Sequence, residues 1–245
     1  MAAGTSYWLV MPAAGASRRF GGAAAKQYMD LAGRSVLERA LQLFSDDARC
    51  LGIAVALSPA AHGDAALRAR LPAKALPIPG GERRCDSVLA GLKSLSARAA
   101  AHDWVLVHDA ARPCLSAADL NRLLEGGAAH ALGALLAAPV SDTLKRADAT
   151  LASECTVDRG SLWRALTPQM FRYGPLCDAL HSALRTGREP TDEAQAMEWQ
   201  GGRPLLIAAQ DSNIKITSRQ DLAVATAILA ARAAQPDESA IGPMP

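Results

Sequence analysis

Short apolar runs alternate with amphipathic segments along most of the chain. Tyr7–Met11, Leu51–Leu57 and Trp104–Val107 are short and almost uniformly apolar, so they predict buried strands. Between them, Val36–Phe44 and Ser87–Leu95 carry apolar residues at helical spacing. This alternation is typical of a mostly parallel sheet that is covered by helices on both faces. The pattern therefore predicts an α/β fold.

The second half of the chain continues the alternation. Ser116 and Asp119 predict a capped helix start, and Ser218 and Asp221 predict the cap of the last helix. Ala131–Ala138 predicts another buried strand. The other predicted elements are helices at Ala65–Leu71, Thr191–Trp199 and Leu222 to about Ala234, and strands at Ala75–Ile78, Pro204–Ala208 and Asn213–Thr217. Residues 1–234 are thus predicted to form a single domain, and 235–245 a disordered tail.

One polar segment, Pro139 to about Gln169, has little core pattern. A long segment of this kind inside a compact domain is usually functional or reaches out to a partner. We therefore expect it to leave the main body of the fold.

Composition limits the class of protein. At 245 residues, of which 50% are hydrophobic and 20% charged, the chain can bury one large core. The net charge of +2 is small and the basic residues are mostly scattered, so neither nucleic acid nor a membrane is the expected partner. The five cysteines are widely spaced, with no Cys-x-x-Cys pair, as in reduced thiols of a cytoplasmic protein.

The loop after the first predicted strand combines bare backbone with positive charge. Small residues let backbone amides approach a ligand, and nearby cations attract phosphate. The small residues are Ala13, Ala14 and Gly15, which follow Pro12 at the end of the predicted strand, and the cations are Arg18, Arg19 and Lys26. The loop favours a nucleoside triphosphate, although a solvated basic turn would look similar. It is neither a dinucleotide fingerprint nor a P-loop, because the required glycine and Gly-Lys-Ser/Thr patterns are absent.

Two further groups follow strands whose carboxyl ends should meet this loop at one edge of the sheet. Gly80–Ser87 offers a tight turn, and the Ser87 hydroxyl could contact a base. Asp109 beside a polyphosphate is a natural ligand for Mg²⁺, although a turn aspartate would look the same. We interpret His108 as a packing or hydrogen-bonding residue, because no serine or cysteine nucleophile has a supporting motif.

The ordered set of motifs resembles the bacterial 2-C-methyl-D-erythritol 4-phosphate cytidylyltransferases of non-mevalonate isoprenoid synthesis. Each motif is weak alone, but together they span about residues 7–232 in the order of the family. They are Pro12–Gly15 with Arg19 and Lys26–Tyr28, Gly80–Gly91, His108–Pro113, Pro139–Lys145, Thr156–Arg159, Leu166–Gln169, Thr191–Glu193 and Asn213–Thr217.

The resemblance implies a Rossmann-like, three-layer nucleotidyltransferase fold and a Mg²⁺-dependent reaction. In that reaction the phosphate of methylerythritol phosphate attacks the α-phosphorus of CTP in line, and pyrophosphate leaves. Such chemistry relies on positioning and charge stabilisation rather than on a covalent enzyme intermediate.

The resemblance also implies roles for individual residues. The catalytic residues would be Arg19, Lys26, Arg159 and Lys215. CTP would be bound by Pro12, Ala13, Ala14, Gly15, Gly81, Ser87, Asp109 and Ala110, with Asp109 also the metal ligand. The second substrate would be bound by Arg112, Thr143, Arg159, Thr167, Thr191 and Lys215. Family members often carry a second glycine where this chain has Ser17, and serine restricts the backbone angles there.

In the resembled family, the segment that corresponds to about 141–168 is a protruding arm that clasps a second subunit. The resemblance therefore implies a homodimer in which Thr143 and Arg159 serve the active site of the partner.

Three alternatives remain at this point. A cytidylyltransferase for another polyol phosphate, such as ribitol 5-phosphate, would share the CTP half of the site. A nicotinamide-dependent oxidoreductase could use a similar sheet, although the glycine fingerprint is absent. A non-catalytic nucleotide-binding regulator would bind CTP without releasing pyrophosphate.

Overall fold

Strands and helices alternate through the protein, whose computed structural model describes residues 4–15 and 25–234. The strands are β1 (Tyr7–Ala13), β2 (Asp30–Leu31), β3 (Arg34–Ser35), β4 (Cys50–Leu57), β5 (Ala75–Pro79), β6 (Trp104–Val107), β7 (Ala134–Pro139), β8 (Leu144–Ala147), β9 (Ser153–Val157), β10 (Trp163–Arg172) and β11 (Leu205–Ala208). The helices are α1 (Val36–Asp46), α2 (Pro59–Gly63), α3 (Ala65–Ala69), α4 (Arg84–Leu95), α5 (Ala117–Ala129), α6 (Tyr173–Arg185), α7 (Glu193–Glu198) and α8 (Arg219–Ala234).

Seven of the described strands form one twisted sheet in the order β11-β7-β10-β6-β1-β4-β5. The β1 strand pairs in parallel with β4 and β6, β4 pairs in parallel with β5, and β7 pairs in parallel with β11. The β10 strand lies antiparallel between β6 and β7. The predicted mostly parallel sheet is confirmed, with β10 as the exception in the described chain.

The central strand β1 is buried on both faces of the sheet. Tyr7, Leu9 and Met11 pack in one apolar cluster with residues of α1 and α5. Trp8 and Val10 point the other way, into a cluster with residues of α4, α6 and α7. Burying a side chain such as Leu9 contributes roughly 2 kcal/mol. The two clusters make three layers, as the fold class predicted.

Helix starts that the sequence predicted are capped by side chains. Ser218 and Asp221 bond reciprocally at the start of α8, since Ser218 N donates to Asp221 Oδ2 at 2.8 Å and Asp221 N donates to Ser218 Oγ at 3.4 Å. At α5, Ser116 Oγ accepts from Asp119 N at 3.0 Å. The buried Asp119 carboxylate accepts from Gln210 N at 3.2 Å and pairs with Arg122. This second cap is therefore not a capping box.

The predicted strand at Asn213–Thr217 is wrong. This segment forms no strand, and Ile216 N donates to Ala111 O at 2.8 Å. Asn213 and Ile216 are buried, so the apolar and polar alternation comes from side chains that pack under the segment. The segment lies across the carboxyl end of β6, where Ala111 is found.

Several element boundaries also differ from the predictions. The β1 strand continues through Pro12 to Ala13, and α4 begins at Arg84 rather than at Ser87. Ser87 therefore lies within the first turns of α4.

The polar segment from Pro139 leaves the sheet as a hairpin. The β8 and β9 strands pair only with each other among the described residues, and most of their residues are exposed. The chain then re-enters the large sheet, where Trp163, Arg164 and Ala165 pair with Pro139, Ala138 and Ala137. The predicted arm of about 141–168 thus contains this hairpin and the first residues of β10.

Some predictions concern residues that the structure does not describe. Ser17, Arg18, Arg19 and the predicted tail at 235–245 lie outside the described residues. The five cysteines are all free, and three of them are buried. None of the described helices combines the length and the hydropathy that are needed to span a bilayer.

Candidate active site

A cleft of about 400 Å³ opens at the carboxyl ends of β1, β5 and β6. Such a volume suits a small-molecule ligand. Its lining residues are Pro12, Ala13, Ala14, Gly15, Lys26, Gln27, Gly81, Glu82, Arg83, Arg84, Ser87, Asp109, Ala110, Ala111, Lys215 and Thr217. We call this space the first cleft. It gathers every residue that the sequence analysis assigned to CTP.

The end of β1 is fixed by a buried side chain. Gln27 Nε2 donates to Ala13 O at 2.8 Å and to Gly15 O at 3.1 Å. The neighbouring Lys26 Nζ donates to Ile216 O at 2.7 Å. These bonds join the first loop to the short 3₁₀ turn Lys26–Tyr28 and to the segment before α8.

The turn between β5 and α4 packs closely against this loop. Gly80 N donates to Leu57 O at 2.7 Å, and Gly81 N donates to Ser87 Oγ at 3.1 Å. A Cβ at Gly80 would lie 2.5 Å from the Ala14 Cβ and 3.0 Å from Ser87 Oγ. Only glycine therefore allows the two loops to close on each other.

Asp109 follows β6 and is the main buried acid of the first cleft. Its Oδ1 accepts from Arg84 Nε at 3.0 Å, and its Oδ2 lies 2.7 Å from Lys215 Nζ. Burial opposes ionisation, but the Arg84 and Lys215 charges, with that of Arg112, hold the pKa of Asp109 well below its usual range. The carboxylate is ionised at neutral pH.

Arg84 and Glu193 form a pair to which the sequence analysis assigned no role. Arg84 Nη1 donates to Glu193 Oε1 at 2.6 Å, and Nη2 donates to Oε2 at 3.0 Å. The Glu193 side chain is only 1% exposed. The sequence does hint at this pair, because Glu193 lies four residues before the apolar Met197 and therefore on the buried side of α7. A charged residue in such a place needs an ion partner.

His108 is buried and joins three segments, as its predicted hydrogen-bonding role requires. Its Nε2 lies 3.0 Å from Arg112 O and its Nδ1 lies 3.0 Å from Thr167 Oγ1. Thr167 Oγ1 also accepts from Asp109 N at 3.0 Å. Burial lowers the pKa of His108 to about 4, so the ring is neutral at pH 7. A neutral ring that donates from Nε2 to the Arg112 carbonyl accepts the Thr167 hydroxyl proton at Nδ1.

A second cleft of about 310 Å³ lies next to the first. Its lining residues are Arg112, Arg164, Ala165, Leu166, Asp211, Asn213, Ile214 and Lys215. Arg112 Nη1 donates to Asn213 O at 2.7 Å. Arg112 Nε and Asn213 Oδ1 are buried without a hydrogen-bond partner among the described residues. Lys215 lines both clefts.

Four of the predicted substrate-binding residues line neither cleft of the described chain. Thr167 is buried with its hydroxyl bonded to His108 and Asp109, and Thr191 is exposed beside α7. Thr143 and Arg159 are exposed at the open end of the β8–β9 hairpin, where Leu144 pairs with Val157. Arg19 lies outside the described residues, so its position relative to the clefts stays a prediction.

Comparisons with known proteins agree with the architecture. The profile of the family "2-C-methyl-D-erythritol 4-phosphate cytidylyltransferase" (IspD) matches residues 7–231. A protein of that name from Acidithiobacillus ferrooxidans is 51% identical over 230 residues, which are 92% of this chain and 97% of the relative. Another, from Pseudomonas aeruginosa, is 48% identical and covers 89% of this chain and 93% of its own.

Solved structures give the same result. The cytidylyltransferase of that name from Francisella tularensis superposes with a TM-score of 0.79 at 31% identity, over 91% of this chain and 100% of its own. The Thermus thermophilus structure gives 0.75 at 32% identity, over 92% and 98%. The protein is therefore a nucleotidyltransferase enzyme of the cytidylyltransferase class. It belongs to the 2-C-methyl-D-erythritol 4-phosphate cytidylyltransferase family, and not to the nicotinamide-dependent oxidoreductases.

Proposed function

We propose that the enzyme transfers CMP from CTP to 2-C-methyl-D-erythritol 4-phosphate, in the synthesis of isoprenoid precursors. An oxygen of the acceptor phosphate forms a bond to the α-phosphorus of CTP. The bond from that phosphorus to the bridging oxygen of the β-phosphate breaks, and pyrophosphate leaves with the electron pair. The products are 4-diphosphocytidyl-2-C-methyl-D-erythritol and pyrophosphate. The observation that carries this proposal is the pair of adjacent cationic clefts that share Lys215.

The first cleft suits CTP. Ala14, Gly15 and the first turn of α4 line it, and backbone amides at a helix start can bind the phosphates of a nucleotide. Lys26 and Arg84 add full positive charges at the same opening. Gly81 and Ser87 would contact cytosine, while Asp109 and Ala110 would contact the ribose.

Transfer at the α-phosphorus needs cations where negative charge accumulates. Arg19 and Lys26 fill this role in the proposed mechanism, since both follow the loop that faces the triphosphate. Neither forms a covalent bond, because the acceptor phosphate is itself the nucleophile.

A divalent cation, Mg²⁺, is proposed as the cofactor. The first cleft offers the ionised Asp109, and no group of three or more His, Cys, Asp or Glu that could hold a metal ion occurs among the described residues. This donor set fits Mg²⁺ at a nucleotide, where one carboxylate and several phosphate oxygens complete the shell. Bound Mg²⁺ would reduce the negative charge of the phosphates.

The second cleft suits the acceptor phosphate. Arg112 lines it with a buried Nε that has no hydrogen-bond partner in the described chain and lies 4.0 Å from Asp109 Oδ2. Arg164, which pairs with Asp211, and Lys215 bring the charge of the cleft to a positive value. An anion here would lie beside the first cleft, on the far side of Lys215. Thr191 and the backbone around Thr167 are the proposed neighbours of the acceptor.

The homodimer is part of the same proposal. The β8–β9 hairpin is exposed, and its Thr143 and Arg159 line neither cleft of their own subunit. Residues that bind the acceptor from such a position would do so in the active site of a partner subunit. The proposed location of the enzyme is the cytoplasm.

The experiment that tests this function is pyrophosphate release from CTP and Mg²⁺. Parallel reactions contain methylerythritol 4-phosphate, ribitol 5-phosphate or no acceptor. We expect release with methylerythritol 4-phosphate alone. Release with ribitol 5-phosphate alone would keep the chemistry but reject the acceptor, and no release with either would reject the transfer itself.

A further inference from the structure

The two oxygens of Asp109 have partners of different kinds. Oδ1 is bound by Arg84, whose side chain is 26% exposed. Oδ2 is bound at 2.7 Å by Lys215, whose side chain is 42% exposed, and lies 4.0 Å from the buried Arg112 Nε. A lysine ammonium on a flexible stem changes partners readily, while a planar guanidinium held by several hydrogen bonds does not. The close contact of Oδ1 is therefore fixed, whereas the close contact of Oδ2 with Lys215 is exchangeable.

Arg84 is fixed because Glu193 binds its far side. The two contacts of 2.6 and 3.0 Å form a bidentate, charge-assisted pair with a carboxylate that is almost completely buried. The third nitrogen, Nε, remains for Asp109. Arg84 cannot turn away from Asp109 without breaking buried bonds to Glu193.

Glu193 is in turn fixed by the start of α7. Asp192 Oδ1 accepts from Gln195 N at 2.9 Å and caps the helix. Gln169, in β10, donates from Nε2 to Asp192 Oδ2 at 2.9 Å and accepts from Ala194 N at 2.8 Å. The sheet, through Gln169, therefore fixes the position of Glu193.

We infer that Glu193 is a positioning residue for cytidylyl transfer, which acts through Arg84 to hold Asp109 for CTP. Oδ1 stays bound to Arg84 throughout the reaction. Oδ2 then serves CTP and its divalent cation, and Lys215 releases this oxygen when the nucleotide binds. This inference rests on the proposed role of Asp109 in CTP binding. An ion pair that served only folding would affect the free energy of unfolding and leave CTP binding unchanged.

The test compares Glu193→Gln, Arg84→Lys, the double variant and the control Glu198→Gln, which changes an exposed glutamate of the same helix. Calorimetry gives the Kd for CTP without acceptor, and steady-state kinetics give kcat and both KM values. We expect each single variant to lower kcat/KM for CTP by about 10- to 100-fold and to weaken CTP binding. The KM for methylerythritol 4-phosphate should change less than about threefold.

The double variant shows whether Glu193 acts through Arg84 or independently of it. If Glu193 acts through Arg84, the double variant should be no more than about threefold worse than the worse single variant. The inference would be overturned if the loss in the double variant equalled the product of the two single losses. It would also be overturned if Glu193→Gln had a CTP Kd and a kcat within about twofold of those of Glu198→Gln. Arg84→Lys keeps the positive charge opposite Glu193. If Glu193→Gln does not fold, CTP binding and kinetics of Arg84→Lys decide the test.

Asp109→Asn distinguishes this inference from the proposed function. Normal CTP binding by Asp109→Asn would reject the proposed role of Asp109 itself. A large loss in Asp109→Asn together with normal binding by Glu193→Gln would reject only the positioning role. A large loss in both variants supports the inference.

Discussion

Lys215 Nζ lies 2.7 Å from Asp109 Oδ2, and the same lysine lines both clefts of the site. Within the described chain this ammonium makes no other ion pair, and the contact neutralises a buried carboxylate of the first cleft. In the second cleft the lysine adds to the charge of Arg112 and Arg164. In the proposed mechanism this one cation contributes to the binding of two substrates.

Replacing Lys215 should weaken the binding of both substrates and slow the reaction. In Lys215→Met we expect kcat to fall by about 100-fold, because a charge near the reacting phosphates is lost. The KM values for CTP and for methylerythritol 4-phosphate should both rise, as steady-state kinetics would show. Lys93→Met, on the exposed face of α4, is the matched control and should behave as wild type. A change confined to one KM would contradict a shared role.

The proposed arm can be tested by combining two inactive subunits. Lys26→Ala and Arg159→Ala should each lower the activity of a homodimer by at least about 100-fold at limiting acceptor. Co-expression with different affinity tags, followed by purification through both tags, yields heterodimers. If Arg159 serves the partner, each heterodimer contains one site with both side chains intact. Its activity should then be about half that of wild type.

The same heterodimer would also show whether Arg159 serves the active site of its own subunit. In that case every site of the heterodimer lacks one of the two side chains, and no activity returns. A monomeric protein in light scattering would also contradict the proposed arm. Lys145→Ala, on the exposed β8 strand, serves as the control for changes to the hairpin that leave Arg159 in place.

The buried histidine should make stability depend on pH. His108 has a pKa of about 4 in the folded protein and near 6.5 when unfolded. Below pH 6.5 the unfolded chain takes up a proton that the folded chain does not, so the free energy of unfolding falls as pH falls towards 4. Between pH 7.5 and pH 5 the contribution of His108 should be a loss of about 2 kcal/mol.

Urea unfolding at these two pH values measures the effect. His108→Gln keeps an amide that can donate to Arg112 O, and its free energy of unfolding should change less with pH than that of wild type. His181→Gln, at an exposed position of α6, corrects for ordinary surface titration. Equal pH dependence in wild type and His108→Gln would show that His108 does not titrate in this way.

Local sequence pattern predicted much of the fold. Strand runs such as Trp104–Val107 are visible because burial on both faces requires uniformly apolar residues. The start of α8 is visible because Ser218 and Asp221 cap it through contacts three residues apart. The residues of the first cleft follow, because parallel strands bring their carboxyl ends to one edge.

Contacts between residues far apart in the sequence could not be predicted from local pattern. Arg84 and Glu193 are 109 positions apart, and no local pattern connects a helix start in the first half of the chain with one in the second. The segment Asn213–Thr217 alternates like a strand, but Ile216 bonds to Ala111 and Asn213 bonds to Arg112 and to Thr167. Tertiary packing there overrides the local preference.

The antiparallel β10 strand determines where the hairpin emerges. The chain leaves β7 at Pro139 and returns at Trp163, so both ends of the excursion lie at the same edge of the sheet as Asp109. The excursion between these two strands therefore begins and ends at the side of the sheet where the first cleft lies. None of the described residues that line the first cleft belongs to this excursion, so changes confined to it leave the lining of the nucleotide half of the site in place.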